Sequence, residues 1–289
     1  TPSKNPLVPY PERMGLRESH PEWCRSPRSL KEMEVAMEEH CNEKLRKAGH
    51  AEMIVEELLA GRLYTGPMYM KFNAVLRAKS KDAFLMDACK KLCKGNDYAT
   101  SIHATNSCVL KLSKLTKAGK VWRGIKDATL PKTFWVPNDM GVRGGIEYGF
   151  SSTTTDKEQA LLFAAGTEST IFEMQMGMVD RGADLTWLSQ YPHEQEVLFA
   201  PLSGIEITDT RFDGDVLIMQ VRPSVNLNSL TIEQVISKMQ RSHLGLIELL
   251  AADLRFAGVP PDLLMPLTTL KVEAEERKAN YEMVAGSKY

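Results

Sequence analysis

One stretch of the chain reads His193-Glu194-Gln195-Glu196-Val197-Leu198-Phe199, and the apolar residues that close it are typical of a buried strand. Side chains two residues apart in a strand point to the same face, roughly 6 to 7 Å apart along the chain. The spacing therefore predicts that Glu194 and Glu196 stand together on one face at the leading edge of a strand. An isolated Glu-x-Glu pair is usually a solvated surface feature, so its interpretation depends on the rest of the sequence.

Length and composition are those of an ordinary globular protein. The chain has 289 residues, of which 43% are hydrophobic, enough for a sizeable core in one large or two smaller domains. Lys and Arg total 36 against 37 Asp and Glu, so the net charge is −1 and no overall field favours nucleic acid or an anionic membrane. No apolar run is long enough to predict a signal peptide or a membrane span. We expect a monomer without a nucleic-acid partner, in which a local site binds any anion.

The cysteines indicate a reducing, intracellular compartment, because their number is odd and the sequence has no Asn-x-Ser/Thr acceptor. The five are Cys24, Cys41, Cys89, Cys93 and Cys108. Cys89 and Cys93 have helical spacing, but no His or second Cys pair follows at the spacing of a zinc site, so we expect no metal. The first residue, Thr1, is not Met, which suggests a trimmed chain or part of a larger protein.

The hydrophobic pattern divides the chain into four regions. Residues 1–28 predict an extended arm, residues 29–118 predict helices, and residues 119–223 predict a sheet-rich core that one helix, Lys157–Ala165, interrupts. Residues 224–289 return to the helical period. The sequence therefore predicts an α+β protein.

Individual elements follow from the same pattern. The other predicted helices are Ser29–Gly49, Met53–Gly61, Met68–Ala78, Lys81–Cys93, Ser101–Lys117, Thr231–Ala257 and Leu263–Met283. The predicted strands are Val121–Arg123, Thr133–Val136, Glu147–Thr154, Thr170–Met176, Glu196–Ala200, Gly204–Asp209 and Val216–Val221.

Two features of the predicted sheet accompany the glutamates. Arg123 lies on an apolar strand, where a buried guanidinium costs several kcal/mol unless it meets an anion of matching geometry. A structural carboxylate or a bound phosphate would both satisfy it. Gly124 would let a flat ring approach the backbone, or it is a plain turn glycine. Ser152, in a row of hydroxyls after Phe150, would hold a neighbouring carboxylate, although such a row also suits the cap of the next helix.

Together these residues resemble a known family. Arg123, the run Phe150-Ser151-Ser152-Thr153-Thr154 and Glu194-Gln195-Glu196, in this order, resemble a mono-ADP-ribosyltransferase of the arginine-serine-glutamate class, which includes vertebrate arginine-specific enzymes and clostridial binary toxins. Further similarity to the vertebrate branch lies in Val197–Leu202 and in Tyr64-Thr65-Gly66 through Leu76-Arg77. The resemblance covers about Leu30 to Val221, and Thr154 stands where the family often has Ser.

The resemblance implies two packed, mainly antiparallel sheets that form an NAD-binding core, a catalytic domain over residues 29–223 and extra carboxyl-terminal helices. It implies an enzyme that uses NAD as co-substrate, without a metal, and moves ADP-ribose to an arginine of a protein while releasing nicotinamide. The alternatives are an NAD glycohydrolase on the same scaffold and an inactive interaction domain. We expect the protein in the cytoplasm, or acting inside a cell as a secreted effector.

Residue roles follow from the resemblance. Arg123 would bind the NAD pyrophosphate, the Gly124 backbone would meet the nicotinamide amide, and Ser152 would orient Glu196. Glu196 would bind the ribose 2′-hydroxyl and stabilise the oxocarbenium-like centre. Glu194 would deprotonate the acceptor, because a charged guanidinium is a poor nucleophile.

Four further residues complete the predicted site. Thr153 and Phe163 would contact NAD, Phe163 by stacking, although a core position on its helix is the alternative. Trp187 and Tyr191, on the loop before the glutamates, would recognise the protein substrate, unless they pack inward.

Overall fold

The computed structural model describes residues 28–127, 130–139, 141–166, 168–226 and 230–286. Most of the predicted arm, together with Cys24, lies outside these residues. The described residues form two compact units that divide between residues 229 and 230.

The first unit begins with six α-helices, which confirm the predicted helical region. They are α1 (Leu30–Met37), α2 (Glu43–Lys47), α3 (Val55–Leu63), α4 (Tyr69–Arg77), α5 (Ala83–Cys93) and α6 (Ala99–Leu112). Short π-helical turns, Glu38–Asn42 and Tyr64–Met68, follow α1 and α3. The start at Ser29 is a capping box, because the Ser29 hydroxyl accepts from the Glu32 amide while the Glu32 carboxylate accepts from the Ser29 amide.

The rest of this unit is one eight-stranded sheet and one helix, α7 (Lys157–Ala164). The strands are β1 (Lys120–Lys126), β2 (Gly144–Glu147), β3 (Ser151–Thr154), β4 (Ser169–Gln175), β5 (Ala183–Asp184), β6 (Glu196–Phe199), β7 (Ser203–Asp213) and β8 (Val216–Ser224). Their order is β2-β7-β8-β4-β1-β3-β6-β5. All neighbours are antiparallel except β4 and β8, which are parallel.

The sheet is continuous, so the expected pair of separate sheets is not what the structure has. The connection is narrow, because β1 and β3 pair only at Trp122 and Thr154, whereas β1 and β4 pair along seven residues each. A β-strand can hydrogen-bond on both edges, and β1 uses its second edge to join β3, β6 and β5 to the other five strands. The sequence pattern could not show this, since it does not encode which edges meet.

Two predicted strands differ from the observed elements. The run Thr133–Val136 was expected as a strand, but Lys132–Phe134 is a 3₁₀ turn in which the Phe134 ring stacks on Phe172 at 5.9 Å. Its aromatic residue serves core packing rather than a strand ladder. The predicted strand Glu147–Thr154 is divided into β2 and β3 by a bend at Gly149, where an added Cβ would come within 2.9 Å of Asn73 Oδ1.

Strand β6 lies between two hydrophobic cores. Leu198 belongs to the core formed with the helices, while Val197 and Phe199 belong to the core on the other face of the sheet. All four residues of β6 are buried. Burial on both faces explains why its sequence is a continuous apolar run, and it places Glu196 at the boundary of both cores.

The second unit contains α8 (Ile232–Phe256) and α9 (Met265–Gly286), which confirm the two predicted carboxyl-terminal helices. Thr231 caps α8 through a box with Gln234. Lys271 of α9 lies 2.8 Å from Glu248 of α8. Among the described helices, none combines the length and the hydropathy that a membrane span requires.

Candidate functional site

The two glutamates are brought together by a turn rather than by a strand. Glu196 is the first residue of β6, but Glu194 ends a 3₁₀ turn that starts at Pro192. Gln195 between them is left-handed, with φ of 45° and ψ of 50°. The prediction that both acids share one strand face is therefore wrong. Pro192 favours the tight turn, and the left-handed residue ends it before the strand begins.

Both carboxyl groups have raised pKa values. Burial raises the pKa of Glu196 to about 7, while a hydrogen bond from Ser152 opposes the shift. Burial, and next the negative charge of Glu196, raise the pKa of Glu194 to about 8. The side chains therefore interact despite the turn between them. Carboxyl groups with pKa values near neutrality are suited to proton transfer.

Ser152 connects β3 to the glutamates. Its hydroxyl hydrogen-bonds to Glu196 and lies 3.5 Å from the Tyr64 hydroxyl. The cap of α7 is Asp156, whose carboxylate accepts from the Glu158 amide at 2.9 Å. Ser152 is thus placed beside a carboxylate, as the sequence suggested, and a different residue performs the capping.

Arg123 shares its carboxylate partner with a second arginine. The Arg123 Nη1 donates to the Ser151 hydroxyl, and its Nη2 lies 3.7 Å from Glu147 Oε2. Arg77 binds the same carboxylate bidentately, with Nε–Oε1 of 3.0 Å and Nη2–Oε2 of 2.9 Å. Two guanidinium groups on one carboxylate leave a net positive charge, which suits a further anion.

The pKa shifts of Glu147 and Arg123 agree with the sharing of Glu147 between two arginines. Burial opposes ionisation of Glu147, but Arg77 and then Arg123 hold the pKa of the Glu147 carboxyl below its usual value. Burial lowers the pKa of the Arg123 guanidinium, and Glu147 counteracts this only in part. The sequence did not single out Arg77 or Glu147 as site residues. The one signal was that Arg77 ends the amino-terminal stretch that resembles the family.

Gly124 and Phe163 adjoin one another at the contact between β1 and α7. Gly124 lies in the middle of β1, opposite Ile171, so the alternative of a turn glycine is wrong. An added Cβ would overlap the Ala160 carbonyl oxygen, because α7 packs directly on this strand. Phe163 is 50% exposed, so its alternative of a core position is also wrong.

Thr153 and the aromatic residues before the glutamates make contacts within the protein. The Thr153 hydroxyl donates to the Val197 carbonyl at 2.7 Å. The Trp187 ring stacks on His40 at 5.6 Å. Tyr191 is 9% exposed, so the expectation of an exposed tyrosine is wrong. Its ring packs inward and lies 6.2 Å from the His193 ring.

The helical region supplies two site residues that the sequence did not assign. The Asn73 carboxamide accepts from the Phe150 amide at 2.9 Å and donates to the Tyr64 hydroxyl at 3.1 Å. The Tyr64 ring packs against Phe150 at 5.0 Å. These contacts fix the start of β3, and hence Ser152, against the helices. Across the described parts of the chain, no group of three or more His, Cys, Asp and Glu residues gathers as metal ligands would.

Comparison with known proteins gives the family. Residues 21–227, more than half of the chain, match the family described as NAD:arginine ADP-ribosyltransferase. No curated protein matches the chain.

Solved structures resemble the fold. The ADP-ribosyltransferase HopU1 of Pseudomonas syringae pv. tomato DC3000 is 20% identical, with a TM-score of 0.51 over 73% of this chain and 97% of that one. The Vis toxin of Vibrio splendidus is 20% identical, with a TM-score of 0.45 over 73% of this chain and 93% of that one. Exoenzyme S from Pseudomonas aeruginosa, solved with human 14-3-3 protein beta and carba-NAD, is 17% identical, with a TM-score of 0.44 over 72% of this chain and 96% of that one.

Proposed function

Because the chain belongs to the NAD:arginine ADP-ribosyltransferase family, it is an enzyme that transfers ADP-ribose from NAD to arginine, and we propose how its residues divide the reaction. Glu196 stabilises the ribosyl cation that forms when nicotinamide leaves, and Glu194 activates the arginine that captures it. The observation that carries this proposal is the placement of the two acids, since Glu196 begins the buried strand β6 beside Ser152 and Glu194 ends the 3₁₀ turn before it. Burial raises the pKa of both carboxyl groups, in agreement with this placement.

The two arginines supply the charge for binding NAD. Arg123 and Arg77 share the single carboxylate of Glu147, so one positive charge is left to attract the pyrophosphate. In this proposal the Gly124 backbone meets the nicotinamide amide beside Phe163, whose half-exposed ring is available for stacking. Thr153 would contribute through its backbone, since its hydroxyl already donates to Val197.

Cleavage of NAD requires stabilisation of a cation rather than a general acid. The nicotinamide ring is positively charged and departs neutral, so the leaving group needs no proton. Positive charge develops instead on the ribose C1′ and ring oxygen, as in glycoside cleavage. Glu196, 7% exposed, is held beside that charge by Ser152, and its carboxylate would also accept from the ribose 2′-hydroxyl.

Transfer to arginine requires the second carboxylate. A guanidinium nitrogen must lose a proton as it bonds to C1′, and Glu194 is the base in this proposal. The pKa of about 8 for Glu194 applies without substrate. An arginine guanidinium placed beside the pair favours the ionised carboxyl group, so the acceptor itself would promote formation of the base.

The acceptor is an arginine on a protein substrate in this proposal. Trp187 is partly exposed on the loop that carries Glu194, and we propose it as a contact for the substrate, with Tyr191 supporting the loop from inside.

Among the described residues, the cysteines at 41, 89, 93 and 108 are free. Free thiols are typical of a reducing compartment, so we propose that the enzyme acts in cytoplasm, in its own cell or as a secreted effector. A monomer remains our proposal for its oligomeric state.

Glu194→Gln tests the division of roles. We expect the variant to keep nicotinamide release from NAD in water within about threefold, while transfer to agmatine falls about 10²-fold or more, because general-base catalysis contributes on this scale. Nicotinamide release and labelled agmatine would be measured in parallel. Equal loss of both activities would contradict the proposal. Wild-type protein that cleaves NAD without labelling agmatine would instead indicate a glycohydrolase.

A further inference from the structure

The loop that carries Glu194 is tied to the end of helix α3 by its backbone. This loop, residues 185–195, joins β5 to β6 and is called the glutamate loop below. Arg62 Nη1 donates to the carbonyls of Leu188 at 2.8 Å and Ser189 at 3.1 Å. The next residue, Gln190, donates its amide to the Thr65 hydroxyl at 3.0 Å. Backbone groups that a loop usually exposes to water are thus bound by side chains of a helix.

The Gln190 side chain completes the attachment. Its Nε2 donates to the Arg62 carbonyl at 2.8 Å. An added Cβ at Gly66 would overlap this carboxamide, so the glycine provides the space in which it lies. Gly66 has ordinary extended dihedral angles, φ of −103° and ψ of −165°, and space rather than backbone strain therefore explains the residue type. We call the contacts of Arg62, Thr65, Gly66 and Gln190 the clamp.

The same segment also reaches the strand side of the site. Tyr64, between Arg62 and Thr65, places its hydroxyl 3.5 Å from the Ser152 hydroxyl, which hydrogen-bonds to Glu196. The side chain of Tyr64 is buried, at 1% exposure. The segment Arg62–Gly66 therefore contacts both Ser152, which supports Glu196, and the glutamate loop, which carries Glu194. This segment therefore links the glutamate loop to the strand side of the site.

We infer that Arg62 and Gln190 are positioning residues that select arginine over water as the acceptor. The inference rests on the proposed role of Glu194. In both reactions, transfer to arginine and hydrolysis, the bond from C1′ to nicotinamide breaks and neutral nicotinamide leaves. In transfer, a guanidinium nitrogen bonds to C1′ and its proton passes to Glu194. In hydrolysis, water bonds to C1′ and its proton passes to solvent.

The physical reason is that the two outcomes differ in how much placement they need. Hydrolysis requires Glu196 and a water molecule, which reaches C1′ from many directions. Transfer requires Glu194 within hydrogen-bond reach of the attacking nitrogen, and a displacement of about 1 Å can cost about 10²-fold in rate. A looser glutamate loop therefore diverts the ribosyl cation to water without slowing the release of nicotinamide.

The experiment compares Arg62→Ala, Gln190→Ala and Arg62→Lys with wild type. Nicotinamide release from NAD alone and labelling of agmatine are measured on each protein. We expect agmatine labelling to fall about tenfold to a hundredfold in both alanine variants, in kcat more than in the KM for NAD, with hydrolysis within about twofold. Arg62→Lys should recover part of the labelling, because it keeps the charge but not the two-pronged geometry.

A matched control is Arg46→Ala. Arg46 lies on α2 in the same helical region, and its ion pairs are with Glu38 and Glu52, at 2.9 and 2.8 Å. The ratio of transfer to hydrolysis should be unchanged in this variant. If Arg62→Ala does not fold, Gln190→Ala decides the result, since it removes one carboxamide and leaves the buried Tyr64 in place.

The outcomes separate the clamp from the proposed function. The inference about the clamp would be overturned if Gln190→Ala lost both activities in parallel, or if the ratio of transfer to hydrolysis were unchanged in every variant. Either result would leave the role of Glu194 intact. If the wild-type protein cleaved NAD but labelled no agmatine, the proposed acceptor step would be overturned, and so would the inference that the clamp selects arginine over water. A selective loss of labelling in the alanine variants, with partial recovery in Arg62→Lys, would support the inference.

Discussion

The strand side and the loop side of the site are built differently. Glu196 begins β6, which is buried along all four residues and pairs with β3 from Thr154 to Ser151. Glu194 ends a 3₁₀ turn on the glutamate loop, which is held by side chains from α3 and the turn after it. Glu196, which would meet the ribosyl cation in both hydrolysis and transfer, is therefore part of the sheet. The group that meets the acceptor is on a loop, where substrate specificity can change without altering the core.

Glu196→Gln should have the largest effect on this comparison. Both nicotinamide release and agmatine labelling should fall about 10³-fold, because the ribosyl cation loses a buried negative charge that either outcome needs. The amide keeps the size of the carboxyl group, so thermal unfolding should show a folded protein. If the variant lost transfer alone and kept hydrolysis, Glu196 would not be needed for cleavage of NAD, the step that both reactions share.

Ser152→Ala should have a smaller effect of the same kind. Removing one hydrogen bond to a charged group costs about 1.5–3 kcal/mol, so both activities should fall about tenfold or more together. The hydroxyl also opposes the rise in the pKa of Glu196, so the variant should need a higher pH for activity. The pH profile of nicotinamide release checks this, with Ser113→Ala at the end of α6 as the control. If only agmatine labelling changed, Ser152 would support the acceptor step of Glu194 rather than the cleavage of NAD by Glu196.

The smallest expected effect is on stability, and it concerns the loop side alone. The pKa of Glu194 in the folded protein, about 8, is above its ordinary value of 4.5, so the folded protein holds this proton more tightly than the unfolded chain. The carboxyl group therefore lowers stability progressively as the pH rises from about 4.5 to about 8.

Glu194→Gln should remove that loss. The free energy of unfolding of the variant should exceed that of wild type by about 1 kcal/mol or more at pH 9 and by less at pH 5, since one pKa unit corresponds to about 1.4 kcal/mol. Urea denaturation at both pH values measures the difference. Glu56→Gln, at an exposed position of α3, is the control. A variant less stable than wild type at pH 9 would show that the Glu194 carboxylate is stabilised in the folded protein.

Sequence reasoning named candidate site residues on segments that are distant along the chain, and the structure places three of these segments on neighbouring strands, β1, β3 and β6. Arg123, Ser152 and Glu196 lie on strands that the pattern predicted, because local periodicity defines a buried strand. The bidentate contact between Arg77 and Glu147 could not be predicted, because it joins residues 70 positions apart. Neither residue carries a local signal that identifies its partner.

The chain's sequence by itself determined most of the element types, the residue types of the candidate site and the short spacing of the two glutamates. Helix caps, β-branched runs and the Glu-x-Glu motif are local properties, and local physical chemistry acts on them directly. Tertiary structure alone decided that one sheet joins at Trp122 and Thr154 and that Arg62 holds the glutamate loop. These features depend on which distant surfaces pack together, and packing between distant segments is stronger than the local preference of either one.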